Sequence, residues 1–106
     1  MKTYIIRLIS RRDPNNPGNY CSNTVSRTIH FDGTITQARK EAYRLSREAD
    51  TFEVQIRYDG NLIGFMVGVN APGNENLWAV PDDKKPLGFR HMAIDASGRV
   101  REIWGA

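Results

Sequence analysis

The stretch from Asp32 to Ala49 restricts the fold most, because here apolar residues recur at helical rather than strand spacing. Asp32-Gly33 breaks the preceding pattern. Thr34 stands three residues before Gln37, the register of a capping box in which each side chain bonds the other's backbone N–H. Ile35, Ala38, Ala42, Leu45 and Ala49 then follow at spacings of three, four, three and four, one apolar stripe along a helix. Its small alanines let a helix lie close to a sheet. Arg39, Lys40, Glu41, Arg44, Arg47 and Glu48 fall off the stripe. Glu41 can meet Arg44 at i+3 and Arg44 can meet Glu48 at i+4, each pair worth about 0.2–0.5 kcal/mol on an exposed face.

The rest of the chain reads at the period of strands. Tyr4 to Ile9 is dense in β-formers and apolar on nearly both faces, which suits a central strand. A loop follows over Ser10 to Asn19, where two prolines, a glycine and three asparagines oppose regular structure. Val25, Arg27, Ile29 and Phe31 alternate with polar residues as in a half-buried strand, with Arg27 the flaw on the apolar side. After the helix, Phe52, Val54, Ile56 and Tyr58 share one side of a strand. Asp59-Gly60 closes a tight hairpin, because both central positions of a type I′ turn need positive φ. Straight alternation along the returning strand puts Ile63, Phe65, Val67 and Val69 on the core side and Leu62, Gly64, Met66 and Gly68 on the other. Residues 70–88 read as a long irregular stretch around a short apolar island, Leu77-Trp78-Ala79-Val80, that forms a short strand or an anchor, and 89–104 as a last hairpin. The expected architecture is α+β, an antiparallel β-sheet packed on one α-helix in the order β-β-α-β-β-(long loop)-β-β. A single domain spans 1–106, with Phe52, Val54, Ile56, Ile63, Phe65, Val67, Ala38, Ala42 and Leu45 sharing its core.

Composition narrows the setting. A chain of 106 residues and 12.0 kDa is the size of one core. The single cysteine, Cys21, has no intramolecular disulfide partner, so a reducing, cytoplasmic compartment is expected. No segment approaches the ~20 apolar residues that span a bilayer. The formal net charge is +3, and of the fifteen basic residues four are lysines, Lys2, Lys40, Lys84 and Lys85. Arginine's planar fork suits phosphate, carboxylate and aromatic partners, so the bias points to interface use or to a GC-rich coding sequence.

The sequence offers little for catalysis, which needs a nucleophile, a base and an orienting group within reach of one another. It holds no G-x-S-x-G, H-E-x-x-H, C-x-x-C, G-x-x-x-x-G-K-S/T or G-x-G-x-x-G pattern. Cys21 reads as an ordinary small residue, and His30 as an exposed polar residue on the outward side of its strand. His91 reads in the same way. Asp59 and Asp95 occupy turns where aspartate serves the backbone, and Asp82-Asp83 followed by Lys84-Lys85 reads as a solvated loop tip. No catalytic residue, metal or cofactor is expected.

Two surfaces remain. On the helix, Lys40, Arg44 and Arg47 form a basic row that could grip phosphates, with Arg11 and Arg12 as further candidates; Glu41 and Glu48 partly neutralise it. On the strand of residues 61–69, Gly64 and Gly68 leave room for a close approach, either by a partner or by Trp78 folding back over them. The second is favoured, because Leu77-Trp78 needs somewhere to bury.

The order of an initial Met1-Lys2-Thr3-Tyr4-Ile5-Ile6-Arg7 strand, a second strand, a helix opened by Ile35-Thr36-Gln37-Ala38-Arg39 and a hairpin resembles some small phage-encoded anti-CRISPR proteins, inhibitors of type I surveillance complexes. The likeness covers about two thirds of the chain, and residues 70–88 and the longer last hairpin depart from it. It implies one helix on an antiparallel sheet and tight, non-catalytic binding that occludes a host complex, and carries no functional residue across. The expected function is therefore a non-enzymatic binding protein, a phage or mobile-element inhibitor whose partner is a larger protein or ribonucleoprotein complex of the host. Arg11, Arg12, Trp78, Lys84 and Lys85 are its expected contact residues, since loops on a rigid sheet carry binding residues and arginine and tryptophan dominate interface energy. The alternative is a small basic nucleic-acid-binding module that uses Lys40, Arg44 and Arg47. No membrane partner is expected.

Overall fold

The computed structural model describes residues 2–10, 24–48, 51–67, 77–82 and 88–102. In chain order the elements are β1 (Lys2–Ser10), β2 (Thr24–Gly33), α1 (Ile35–Ser46), β3 (Glu53–Tyr58), β4 (Asn61–Val67), β5 (Leu77–Pro81), β6 (Phe89–Ile94) and β7 (Val100–Glu102). All seven strands join one antiparallel sheet in the order β2-β1-β3-β4-β5-β6-β7. The α+β class, and one helix among the described residues, are as the sequence indicates. The expected strand order lacked β5: the island in the long irregular stretch pairs with both β4 and β6 and fills the place between them. Among the described residues no helix is long and apolar enough to cross a membrane.

The helix starts where its cap requires. Thr34 accepts from the Gln37 backbone N–H at 3.2 Å, and Gln37 Oε1 accepts from the Thr34 N–H at 2.9 Å, so both halves of the capping box are made. Ala38, Ala42 and Leu45 are fully buried against β1, β3, Met66 and Trp78. The β3–β4 hairpin turns through Asp59 (φ 51°) and Gly60 (φ 79°), the paired positive dihedrals of a type I′ turn.

Two bulges decide which residues reach that core. In β2, Arg27 faces Leu8 and Val25 faces Ile9, so Ser26 is an extra residue, and its hydroxyl donates to the Leu8 carbonyl at 3.2 Å. Beyond the bulge Val25 turns to the face away from the helix, where it is 49% exposed. Arg27, the flaw in the alternation, stays on the helix side beyond the end of the core and reaches Glu48 at 3.5 Å. In β4, Gly64 faces Ile56 and Leu62 faces Arg57, leaving Ile63 as the extra residue. Ile63 packs on the core as expected, but the bulge reverses the rest of the strand. Gly64 and Met66 face the helix side, whereas Phe65 and Val67, expected in the core, lie on the opposite face and are half-buried.

The reversal also places Trp78. A Cβ added at Gly64 would come closer than 3.0 Å to indole atoms Cζ2 and Cε2 of Trp78 and to the Ala79 carbonyl oxygen. Gly64 is therefore the floor on which the indole lies, and Trp78, 1% exposed, is a core residue and not the loop contact residue expected of it.

Finally, the sheet curls around the helix. The β6–β7 turn touches α1 at Gly98, and Arg39 Nε donates to the Gly98 carbonyl at 2.7 Å while its Nη2 donates to Thr36 Oγ1 at 3.1 Å. Phe31 of β2 and Ala96 of the β6–β7 turn, from opposite ends of the sheet, accordingly line one open cleft of about 590 Å³ beside the helix.

Candidate binding face

Directly opposed residues in an antiparallel pair point to the same side of a sheet, so the ladder register maps the face that α1 leaves uncovered. Val54 and Ile56 are buried toward the helix, which puts Gln55 on the other side. From Gln55 the register runs to Arg7 and Thr28 in one direction and to Phe65, Ala79 and His91 in the other, a row across six strands. A neighbouring row carries His30, Ile5, Arg57 and Leu62, with Phe89 opposite Pro81 at its far end. Phe65 and Phe89 pack edge to face across β5, with centroids 5.1 Å apart. Phe89 is 39% exposed, His30 and His91 are exposed, and Arg7, Gln55, Arg57 and Phe65 are half-buried. These two rows contain no carboxylate. Asp32, bonded by the Thr3 hydroxyl, and Glu53, bonded by Gln55 Nε2 at 2.7 Å, lie one row outside on either side.

The helix row is partly neutralised by the two carboxylates that its spacing brings to Arg44. Arg44 pairs with Glu41 and lies 3.6 Å from Glu48, and the hydrogen bond it donates to Glu41, with that carboxylate's charge, raises the guanidinium pKa above its ordinary value. Arg47 packs its guanidinium over the Tyr43 ring, 5.3 Å from the centroid, and its Nη2 donates to the Val67 carbonyl at 3.4 Å. Lys40 is exposed at the cleft edge beside Phe31, Tyr43 and Glu41. The three residues do share one side of the molecule, but two of them are committed within it.

Arg11, Arg12, Lys84, Lys85 and Cys21 lie outside the described residues. His30 and His91 stand on β2 and β6 with four strands between them, so they form no pair. Among the described residues no group of three or more His, Cys, Asp or Glu side chains could hold a metal ion. Sequence reasoning passed over Phe65, Phe89, Arg7 and Gln55 as a set. Their signal was the clash between Gly64 and Met66 on a supposed outer face and the need to bury Trp78, which a bulge at Ile63 resolves.

Comparison of the chain with family models, with curated proteins and with solved structures gives no match.

Proposed function

We propose that the protein is a non-enzymatic binding module that engages a macromolecule through the helix-free face of its sheet. The observation that carries this reading is the Phe65–Phe89 pair, two large rings on a face that no helix among the described residues covers. Aromatic residues in contact with arginine-bearing strands are the composition of interface hot spots, where rings supply area and guanidinium forks supply orientation. The separation of the two histidines also favours binding over catalysis, since neither has the other as base or orienting partner. A phage or mobile-element inhibitor that occludes a host complex is the specific form of this reading that the element order suggests.

A photoreactive phenylalanine analogue placed at Phe89 tests the proposal in cells of the source organism. Discrete crosslinked species are expected from position 89 and not from Glu48 on the helix side. Crosslinking that is absent at 89, or equal at both positions, counts against this face.

A further inference from the structure

The two central rows of this face hold guanidinium groups on β1 and β3 and aromatic rings on β4 and β6, and their described residues carry no carboxylate. We infer that this face binds single-stranded nucleic acid, laid across the strands with its phosphates on Arg7 and Arg57 and its bases against Phe65 and Phe89. The inference rests on the proposed use of this face for binding and names the partner.

Charge complementarity selects the occupant. Arg7 and Arg57 lie on neighbouring rows and adjacent strands, β1 and β3. The carboxylates of the face, Asp32 and Glu53, are displaced to the flanking rows, so a polyanion following the central rows meets cations and histidines and passes between the acids. The chain as a whole is basic, with a formal net charge of +3. Strands lie about 4.8 Å apart, so the six-strand row extends over roughly 24 Å, room for several nucleotides. The rings lie on β4 and β6, on the far side of Gln55 from Arg7, with the small Ala79 between them as a floor. Stacking on aromatic rings needs bases that are not already paired, which favours a single strand over a duplex, and it tolerates any sequence because every base has a π face. An acidic protein would answer the two guanidiniums but would give the rings no stacking partner.

Fluorescence anisotropy with a labelled oligothymidine and an oligouridine of about 12 nucleotides, and with a duplex of equal length, tests the inference on the full chain at low salt. Both single strands are expected to bind, and the duplex less tightly. Phe89→Ala, at a ring that is 39% exposed, should lower the thermal melt by no more than Phe65→Ala does, through the lost pairing of the two rings, and weaken single-strand binding by about 5- to 150-fold, the usual range for one stacked base. Arg7→Gln should flatten the slope of log affinity against log salt by about 0.7. No binding of either single strand, equal binding by the parent and Phe89→Ala, or a loss confined to Lys40→Gln on the helix would each overturn the inference. A crosslink from position 89 to a protein, combined with no single-strand binding, would overturn the nucleic-acid partner and leave the binding face standing. Absence of both would remove the face itself.

Discussion

Gly98 seats the β6–β7 end of the sheet on the helix. Its φ of +85° lies in the left-handed region, and a Cβ there would come closer than 3.0 Å to the Thr36 carbonyl oxygen and the Lys40 nitrogen, backbone atoms that cannot swing aside. The turn is shaped for this contact. The Asp95 carboxylate accepts from the Ser97 hydroxyl and from the Ser97 and Arg99 N–H groups at 2.9 and 3.2 Å, and these bonds, the Ser97 hydroxyl first, hold its pKa below the ordinary value. On the helix side Arg39 closes the contact. Burial draws its pKa down, yet a guanidinium starts high enough to keep its charge and its bond to Gly98. Gly60 is the control, because its φ of +79° is similar and nothing lies within 4 Å of an added Cβ. Gly60→Ala should cost about 1–2 kcal/mol from the dihedral alone. Gly98→Ala should cost that plus about 1–3 kcal/mol for overpacking. Urea midpoints measure both, and equal shifts would show that the turn does not rest on the helix.

At the scale of elements, β4 separates what alternation can reveal from what it cannot. Its period of two was legible, and so was the turn before it, because Asp59-Gly60 has the residues that positive φ demands. The face was not, since one extra residue at Ile63 exchanges the two sides and no composition marks the place of a bulge. The helix is legible to its N-cap because its signals are local, whereas the place of β5 in the sheet is not, because an apolar island this short, set among prolines and glycines, holds too little pattern to locate a partner. The two sides of β4 predict opposite sensitivities. Met66→Ala removes a side chain that is 1% exposed and packed with Leu45 and Trp78, and should cost about 2–5 kcal/mol. Phe65→Ala, on the half-buried face, should cost less, chiefly its area and about 0.5–1.5 kcal/mol of ring pairing with Phe89. Chemical denaturation of both variants decides between the bulged and the straight strand, and the reverse order of costs would restore the straight one.

For the molecule as a whole, the proposed binding face was the least legible feature, because it is defined by the register of six strands and not by any motif within one. The sequence marked single cations on the helix; the fold ties Arg44 and Arg47 into contacts there and gathers Arg7, the two phenylalanines and Arg57, itself bonded to the Gly60 carbonyl at 3.3 Å, on the other side. The same architecture sets a hierarchy of local stability. β1 and β3 are paired on both edges and covered by α1, so their amides open only when the core does, and Ile6, Val54 and Ile56 are fully buried there. At the margins, β7 holds to β6 through three residue pairs, and the outer part of β2, Val25 to Thr28, is exposed beyond most of the core. Native-state hydrogen exchange should therefore give the largest protection in β1 and β3, less in the β2 amides that bond β1 near Ile29 to Phe31, and least in β7 and the outer part of β2. Because the β6–β7 turn is seated on the helix through Gly98, the Gly98→Ala variant should lose protection in β7 first, while β1 and β3 fall only by the change in global stability. Protection in β7 equal to that in β3, or a uniform loss across all strands in the variant, would mean that the sheet opens as one unit and that the turn does not hold its edge.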